Sequence, residues 1–501
     1  MLVVLVDTKK LDYDIHSLVK AFYPEETVKV LSPGTEVKKK EELCNVPFMK
    51  IILQEESPKI VFFKEGAAAG EYSFSLPGNT KKDRQIGKEE KNLFKAGLYK
   101  ILCDYTGKAL PWGNLTGIRP TKIAMGMLEE GRTSEEIREF MQDSHFVSPA
   151  KTKLSIEIAK RERELLSRIH AEDGYSLYIG IPFCPTTCLY CSFTSYPICA
   201  YEGIVETYID CLCREMDYVA ETYKERPLDS VYIGGGTPTT LLPGQLDRLL
   251  SHLEKRFDMS DLLEFTVEAG RADSITADKL AVLKKHGVSR ISVNPQTMKD
   301  ETLQLIGRRH TTAQVKDAFF LARKTGFDNI NMDLILGLPG EDAGDVTKTI
   351  DAIRTLAPDS LTVHSLAVKR ASKLRQWIEE NGTGCLNNTD ETMAVAAAGA
   401  REMGMYPYYL YRQKNMSGNF ENVGYAKPGK YGIYNILIME ELQTIMALGA
   451  GSISKVVLPG GRIERADNVK DVKLYIEKLD EMLERKRKLF QLQKDKGWFG
   501  Q

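Results

Sequence analysis

Histidine and tryptophan are scarce in this 501-residue chain, which has seven of one and three of the other. No histidine follows position 364, so residues 365–501 can offer no imidazole to a metal. Neither sign of charge is in excess: Lys+Arg number 68 against Asp+Glu 69, a formal charge of −1. That balance gives no electrostatic footprint for nucleic acid or for an anionic membrane. Long hydrophobic runs are missing too, and none approaches a membrane span. The opening "MLVVLVDTKKLDYD" has six apolar residues in a row, with no basic leader and no small-residue cleavage site. It predicts a first β-strand, not a signal peptide.

Cysteine is sparse and odd in number: there are nine, and six lie between 184 and 213. A secreted disulfide framework would spread an even set along a shorter chain. A reducing, cytoplasmic setting with a cluster or metal site is expected instead. The CxxC…CxxC pairing of structural zinc is also absent. Cys44, Cys103, Cys199, Cys211, Cys213 and Cys385 are expected to be small buried side chains.

Apolar content of 43% and charged content of 27% are those of a soluble globular protein. The length predicts two or three domains. Residues 1–150 mix short apolar runs with charged segments and predict an N-terminal α/β domain, with a helix at about 90–104. Residues 165–385 then alternate regularly. Strand-like runs at 176–181, 230–233, 263–268, 288–293, 329–336 and 360–366 are separated by helical patterns at 201–223, 242–256, 276–286, 312–325 and 342–356. Six strands alternating with helices predict a parallel sheet with crossover helices, a partial (β/α)6 TIM-like barrel. Residues 386–501 predict a mostly helical C-terminal domain that covers the substrate, ending in an amphipathic helix at about 469–493.

"IPFCPTTCLYCSF", 181–193, places Cys184, Cys188 and Cys191 directly after the first of these strands. Ligands bind at the C-terminal ends of strands in this architecture. A cubane of four irons held by three thiolates keeps one iron open for a ligand, and an open position marks a catalytic site. One strand later, "VYIGGGTPTTL" sets three glycines at a strand end, where backbone can approach a neighbour without an intervening Cβ.

The CxxxCxxC spacing resembles that of the radical S-adenosylmethionine (SAM) enzymes. In that family a [4Fe-4S] cluster binds SAM at its open iron and, once reduced, cleaves it to a 5′-deoxyadenosyl radical. "LYIGIPFCPTTCLYCSF", "VYIGGGTPT", "FTVEAG", "SVNPQTMKDETLQLIGRRHT" and "INMDLILGLPG" together resemble the oxygen-independent coproporphyrinogen III dehydrogenase (oxidase) family. The N-terminal region and "YRQKNMSGNFENVGYAKPG", 411–429, are similar to its longer HemZ-type branch.

The resemblance implies Cys184, Cys188 and Cys191 as cluster ligands, and one or two SAM molecules. It places Tyr178, Tyr190, Gly235, Gly236, Thr237, Glu268, Gln296, Arg308, Asp333 and Ala367 at cofactor-binding positions, with Tyr178 and Glu268 as candidate catalytic residues. It implies a tetrapyrrole substrate and a low-potential electron donor of flavodoxin or ferredoxin type, with no membrane partner. The implied reaction removes a β-hydrogen from a propionate of coproporphyrinogen III. Carbon dioxide leaves, an external acceptor takes an electron and a vinyl group forms. Two rounds give protoporphyrinogen IX in haem biosynthesis.

Two positions depart from the pattern. Gly180 stands where the family carries His, and Phe193 where it carries a fourth Cys. A haem-trafficking relative shares the Phe, but its C-terminal HNxxYW motif corresponds here to "ENVGYA", 421–426. Another tetrapyrrole or an RNA substrate is the remaining alternative, and balanced charge argues against RNA.

Overall fold

A computed structural model describes all residues except 25, 35–47, 54–57, 74–86, 370–371, 383, 385, 414–419 and 498–501. Cys44 and Cys385 therefore lie outside the described residues. The chain divides into two compact units, Met1–Ala159 with Arg412–Phe420, and Lys160–Tyr411 with Glu421–Gln501.

In the first unit the opening apolar run forms the strand expected of it, β1 (Leu2–Val6). It lies parallel to both β2 (Val28–Leu31) and β3 (Met49–Ile52). β4 (Lys59–Lys64) and β5 (Ala67–Ser73) complete the sheet as an antiparallel meander, in the order β2-β1-β3-β4-β5. The helix Asp12–Phe22 buries Ile15, Leu18, Val19 and Phe22, a spacing of one helix face, against this sheet. The helix expected at about 90–104 spans Lys88–Thr106 and stops where Gly107 takes φ +66°.

The second unit is built on an eleven-stranded sheet. Its centre is the expected alternation: β6 (Tyr175–Ile181) is followed by the short pair β7 (Phe183–Cys184) and β8 (Tyr196–Pro197). Then come β9 (Leu228–Gly235), β10 (Glu264–Gly270), β11 (Arg290–Val293), β12 (Ile330–Leu336) and β13 (Ser360–Ser365). β6 and β9–β13 run parallel. The intervening helices span Val205–Thr222, Pro243–Arg256, Ala277–Lys285, Thr312–Lys324 and Ala343–Leu356. This is the partial (β/α)6 barrel that the sequence predicts.

The C-terminal region is more than the helical cover expected of it. The helices Asp390–Glu402, Ile433–Glu440, Val472–Glu477 and Leu479–Asp495 alternate with five strands that extend the barrel sheet at both edges. β14 (Tyr406–Tyr411) and β15 (Asn422–Ala426) add antiparallel pairing beyond β13. β16 (Thr444–Leu448) lies parallel to β6, and β17 (Ile453–Leu458) and β18 (Arg462–Asp467) follow it as an antiparallel ladder. "LIMEELQTIMALG" is rich in good helix formers and reads as helical from the sequence. Glu441, at φ +54°, ends the helix, and the fully buried Thr444–Leu448 run continues as strand. Open sheet edges need a partner, and these strands supply it. Cys199, expected to be buried, is exposed in the turn Ile198–Ala200. No described helix is long and apolar enough to cross a membrane.

The final helix is fastened by a buried charge. Lys486 Nζ donates to Glu215 Oε1 at 2.6 Å and to Asn468 Oδ1 at 2.8 Å, with both members of the ion pair shut off from solvent. Glu215 also accepts from Tyr475 Oη at 2.5 Å and from the Gly449 amide at 2.7 Å. Replacing Lys486 by Met strands this carboxylate, and unfolding stability should fall by about 3–5 kcal/mol in urea titration. Removing Arg214 from its exposed pair with Asp480 should leave the midpoint in place.

Candidate active site at the strand ends

Alternation along the strands aims polar side chains into the barrel. β6 and β9 are in register with Tyr178 opposite Tyr232 and Gly180 opposite Gly234. The two tyrosine rings are nearly parallel, 6.3 Å apart, and Tyr434 stacks on Tyr232 at 4.5 Å. Above them a Cβ on Gly234 would come within 3.0 Å of Glu268 Oε1. Glycine there leaves room for the carboxyl, which accepts a hydrogen bond from Tyr232 Oη at 2.6 Å.

The cysteine loop begins where β6 ends and is pinned on three sides. The Gly236 amide donates to Ile181 O and the Thr237 amide to Phe183 O, both at 2.7 Å. The Leu189 amide donates to Ile306 O at 3.0 Å, and Thr186 Oγ1 to Gly307 O at 2.9 Å. The Leu374 amide in turn donates to Leu189 O. Gly235 takes φ +112°, and a Cβ on Gly236 would stand 2.6 Å from Phe183 O and 2.9 Å from Cys184 Sγ. The close approach that the glycines permit is therefore to the cysteine loop itself.

Cys184 and Cys188 are buried and Cys191 is partly buried. Burial, reinforced by the other two thiols, pushes the Cys184 thiol up to about 11, against a 3.5 Å contact from Thr237 Oγ1. Cys191 Sγ lies 3.6 Å from Ser195 Oγ. Arg271 Nη1 approaches Cys188 Sγ at 3.9 Å, and Arg308 faces the same thiol. Among the described residues no three His, Cys, Asp or Glu groups are arranged to hold a single metal ion. A cubane spaces its thiolates more widely than a single ion does. The donor set fits one: three thiols, no competing carboxylate or imidazole ligand, and cationic neighbours to offset thiolate charge.

Around this loop the other candidates converge from successive strands. Tyr190 is hydrogen-bonded through Oη to Arg308 Nη2 at 3.1 Å, and Arg308 Nη1 also donates to Asn294 O. Gln296 holds a left-handed φ of +71°, fixed by bonds from its amide to Asp333 O and from the Ile335 amide to its own carbonyl, both 2.9 Å. Its Oε1 is buried with no hydrogen-bond partner, as is Arg308 Nε. A ligand with matching polar groups would satisfy them. Ala367 lies two residues beyond β13 and is only partly buried, with no polar contact to this set among its described bonds.

Two carboxyls in this region are driven apart. Burial raises Asp333, but His364, Asn331 and Thr362 outweigh it and hold the carboxyl below its usual range, with Asn331 Nδ2 donating at 2.7 Å. Burial and the Asp333 charge push Glu268 up to about 7, opposed by Tyr232 and Arg290. Glu268 can thus hold or release a proton near neutrality while Asp333 stays ionised.

Sequence reasoning missed Tyr232, Tyr434 and Arg271. Tyr232 was within reach, since strand alternation places it two residues before Gly234. Tyr434 arrives from a distant helix, and no local spacing announces it.

A radical SAM superfamily model matches residues 178–353. An oxygen-independent coproporphyrinogen-III oxidase-like protein HemZ of Bacillus subtilis is 40% identical over 81% of this chain and 82% of its own. The haem chaperone HemW of the same organism is 39% identical over 39% of this chain and 51% of its own. The coproporphyrinogen III oxidase HemN of Escherichia coli superposes with a TM-score of 0.51 over 64% of this chain and 72% of its own, at 24% identity.

Gly236→Ala should displace Cys184, and iron bound per chain after anaerobic reconstitution should fall several-fold. Because the folded-state value of Glu268 is raised, the folded protein keeps a proton that the unfolded chain releases between pH 4.5 and about 7. Its contribution is full below that window and is lost as pH rises through it. Glu268→Gln should remove that slope, leaving the variant more stable than the parent above pH 7 by on the order of 3 kcal/mol in pH-resolved melting.

Proposed function

Because the chain belongs to the radical SAM superfamily, on its oxygen-independent coproporphyrinogen-III oxidase-like branch, we propose that it decarboxylates coproporphyrinogen III oxidatively to protoporphyrinogen IX without oxygen. The observation that carries this reading is the convergence of the three-cysteine loop, the glycine turn and the Glu268–Asp333 region at one end of the barrel, in a chain 40% identical to a HemZ protein. Cys184, Cys188 and Cys191 would hold a [4Fe-4S] cluster. When bound, the cluster and SAM supply a carbon-centred radical able to take a β-hydrogen from a propionate.

The rest is work for the chain's own residues. Asp333, ionised, receives cationic or hydroxyl groups of a bound SAM, and Gln296 Oε1 accepts from a donor on it. Arg308 and Tyr190 close the side nearest the cysteines. Tyr178 stacks on Tyr232, which donates to Glu268, whose carboxyl holds or releases a proton as the ligand's polar groups require. Gly235, Gly236 and Thr237 seat the cysteine loop, and Ala367 lies two residues beyond the end of β13. An electron donor of flavodoxin or ferredoxin type would serve the cluster in the cytoplasm, and the number of SAM molecules is one or two.

A second reading, haem carriage, draws on the HemW likeness and on Phe193, which is 76% exposed two residues after Cys191. One experiment separates the two. Reduced, reconstituted protein with SAM and coproporphyrinogen III should yield 5′-deoxyadenosine together with monovinyl and divinyl products, quantified by mass spectrometry. SAM cleavage with no vinyl product, together with stoichiometric haem uptake, would replace the first reading by the second. Cys188→Ala should abolish both the cluster absorbance and SAM cleavage.

A further inference from the structure

Arg271 is 3% exposed and follows β10 directly, behind the cysteine loop. Its guanidinium is used on both sides. Nε and Nη2 donate to the two carboxylate oxygens of Asp273 at 3.0 and 2.6 Å. Nη1 donates to Thr186 Oγ1 at 2.7 Å and Thr186 O at 3.1 Å, and reaches Cys188 Sγ at 3.9 Å. His310, also buried, stands 3.6 Å from Asp273 Oδ1. A loop tie could be built from neutral donors. This one places a permanent, buried cation against a thiol and backs it with a carboxylate held by two hydrogen bonds.

We propose that Arg271 is a positioning residue that sets the reduction potential of the cluster, acting through Cys188, with Asp273 as its counter-charge. The inference rests on the reading of Cys184, Cys188 and Cys191 as cluster ligands. Reduction adds one negative charge to the cluster. A guanidinium at the sulfur stabilises the reduced form more than the oxidised one, and a buried position escapes salt screening. Hydrogen bonds to ligand sulfur and local charge are established levers on such potentials. Asp273 works in the opposite direction. The pair therefore makes a prediction in sign that a purely structural tie does not.

The test is an EPR-monitored redox titration of the reconstituted full chain without SAM, after iron and sulfide are counted. Arg271→Gln should move the midpoint to more negative values. The reduced-to-oxidised ratio at a fixed potential should drop about tenfold, equivalent to about 59 mV for one electron. Arg271→Lys should recover most of that shift, and Asp273→Asn should move the midpoint the other way. Coincident midpoints, or shifts of the same sign for Arg271→Gln and Asp273→Asn, overturn the proposal. Should Arg271→Gln lose the cluster, Asp273→Asn decides alone: a raised midpoint supports the proposal, and an unchanged or lowered one overturns it. A parent chain that binds no iron overturns the cysteine assignment itself, a failure recognised before any potential is read.

Discussion

The site depends on one backbone contact. At the end of β9 the chain turns through Gly234, Gly235 and Gly236 so closely under the end of β6 that successive amides bond to Ile181 O and Phe183 O at 2.7 Å. No side chain larger than hydrogen fits at Gly236 without meeting Phe183 O and Cys184 Sγ. The loop that follows is irregular and carries buried polar atoms, so it needs such external bonds to hold one shape. Further fastenings, from Ile306 O and Gly307 O and from Arg271, complete the cradle from neighbouring segments of the same barrel. The thiols are thus presented by a loop tied to the barrel through backbone and side-chain bonds.

Beneath that loop the barrel interior is polar where a conventional core would be apolar, and its charges are graded. Arg290 is fully buried in β11, and burial disfavours its charge, but Tyr408, Glu264 and Tyr232 more than restore it. Arg290 in turn opposes the rise at Glu268, while Asp333 promotes it. One carboxyl ionised and the other poised near neutrality is an arrangement that costs stability and that a simple scaffold would have no reason to keep. The proposed SAM site would use it, together with the orphaned acceptor and donor atoms at Gln296 and Arg308.

The sequence was most legible where periodicity and spacing are local. Six strand runs and five crossover helices fall where alternation predicts them, because each strand is a short apolar run bounded by turn residues and each helix keeps its own apolar face. The three cysteines and three glycines were legible for the same reason, since their chemistry is in their spacing. What stayed hidden depends on pairing at long range. The strands β14–β18 are short, and Thr444–Leu448 merges with the helix before it until a single left-handed residue, Glu441, separates them. The Arg271 contact to Cys188 joins segments more than eighty residues apart, and the Lys486–Glu215 pair joins segments still more distant.

The seventh parallel strand bears on Gly180. β16 runs beside β6 with Leu448 opposite Ile179, and a Cβ on Gly180 would lie 3.3 Å from both Leu448 O and the Tyr178 ring. The next residue, Gly449, turns at φ +94° against Gly180 O, which also accepts from Tyr208 Oη at 2.7 Å. The Ala450 amide donates to that same hydroxyl, and the Gly449 amide to Glu215, which Lys486 neutralises. A histidine at 180 would need Leu448 O on β16 and the Tyr178 ring to give by a few tenths of an ångström. Glycine at this position is therefore coupled to how the C-terminal segment closes on β6. With glycine at 180, β16 pairs with β6 while the stacked Tyr178–Tyr232 face and its bond to Glu268 stay in place.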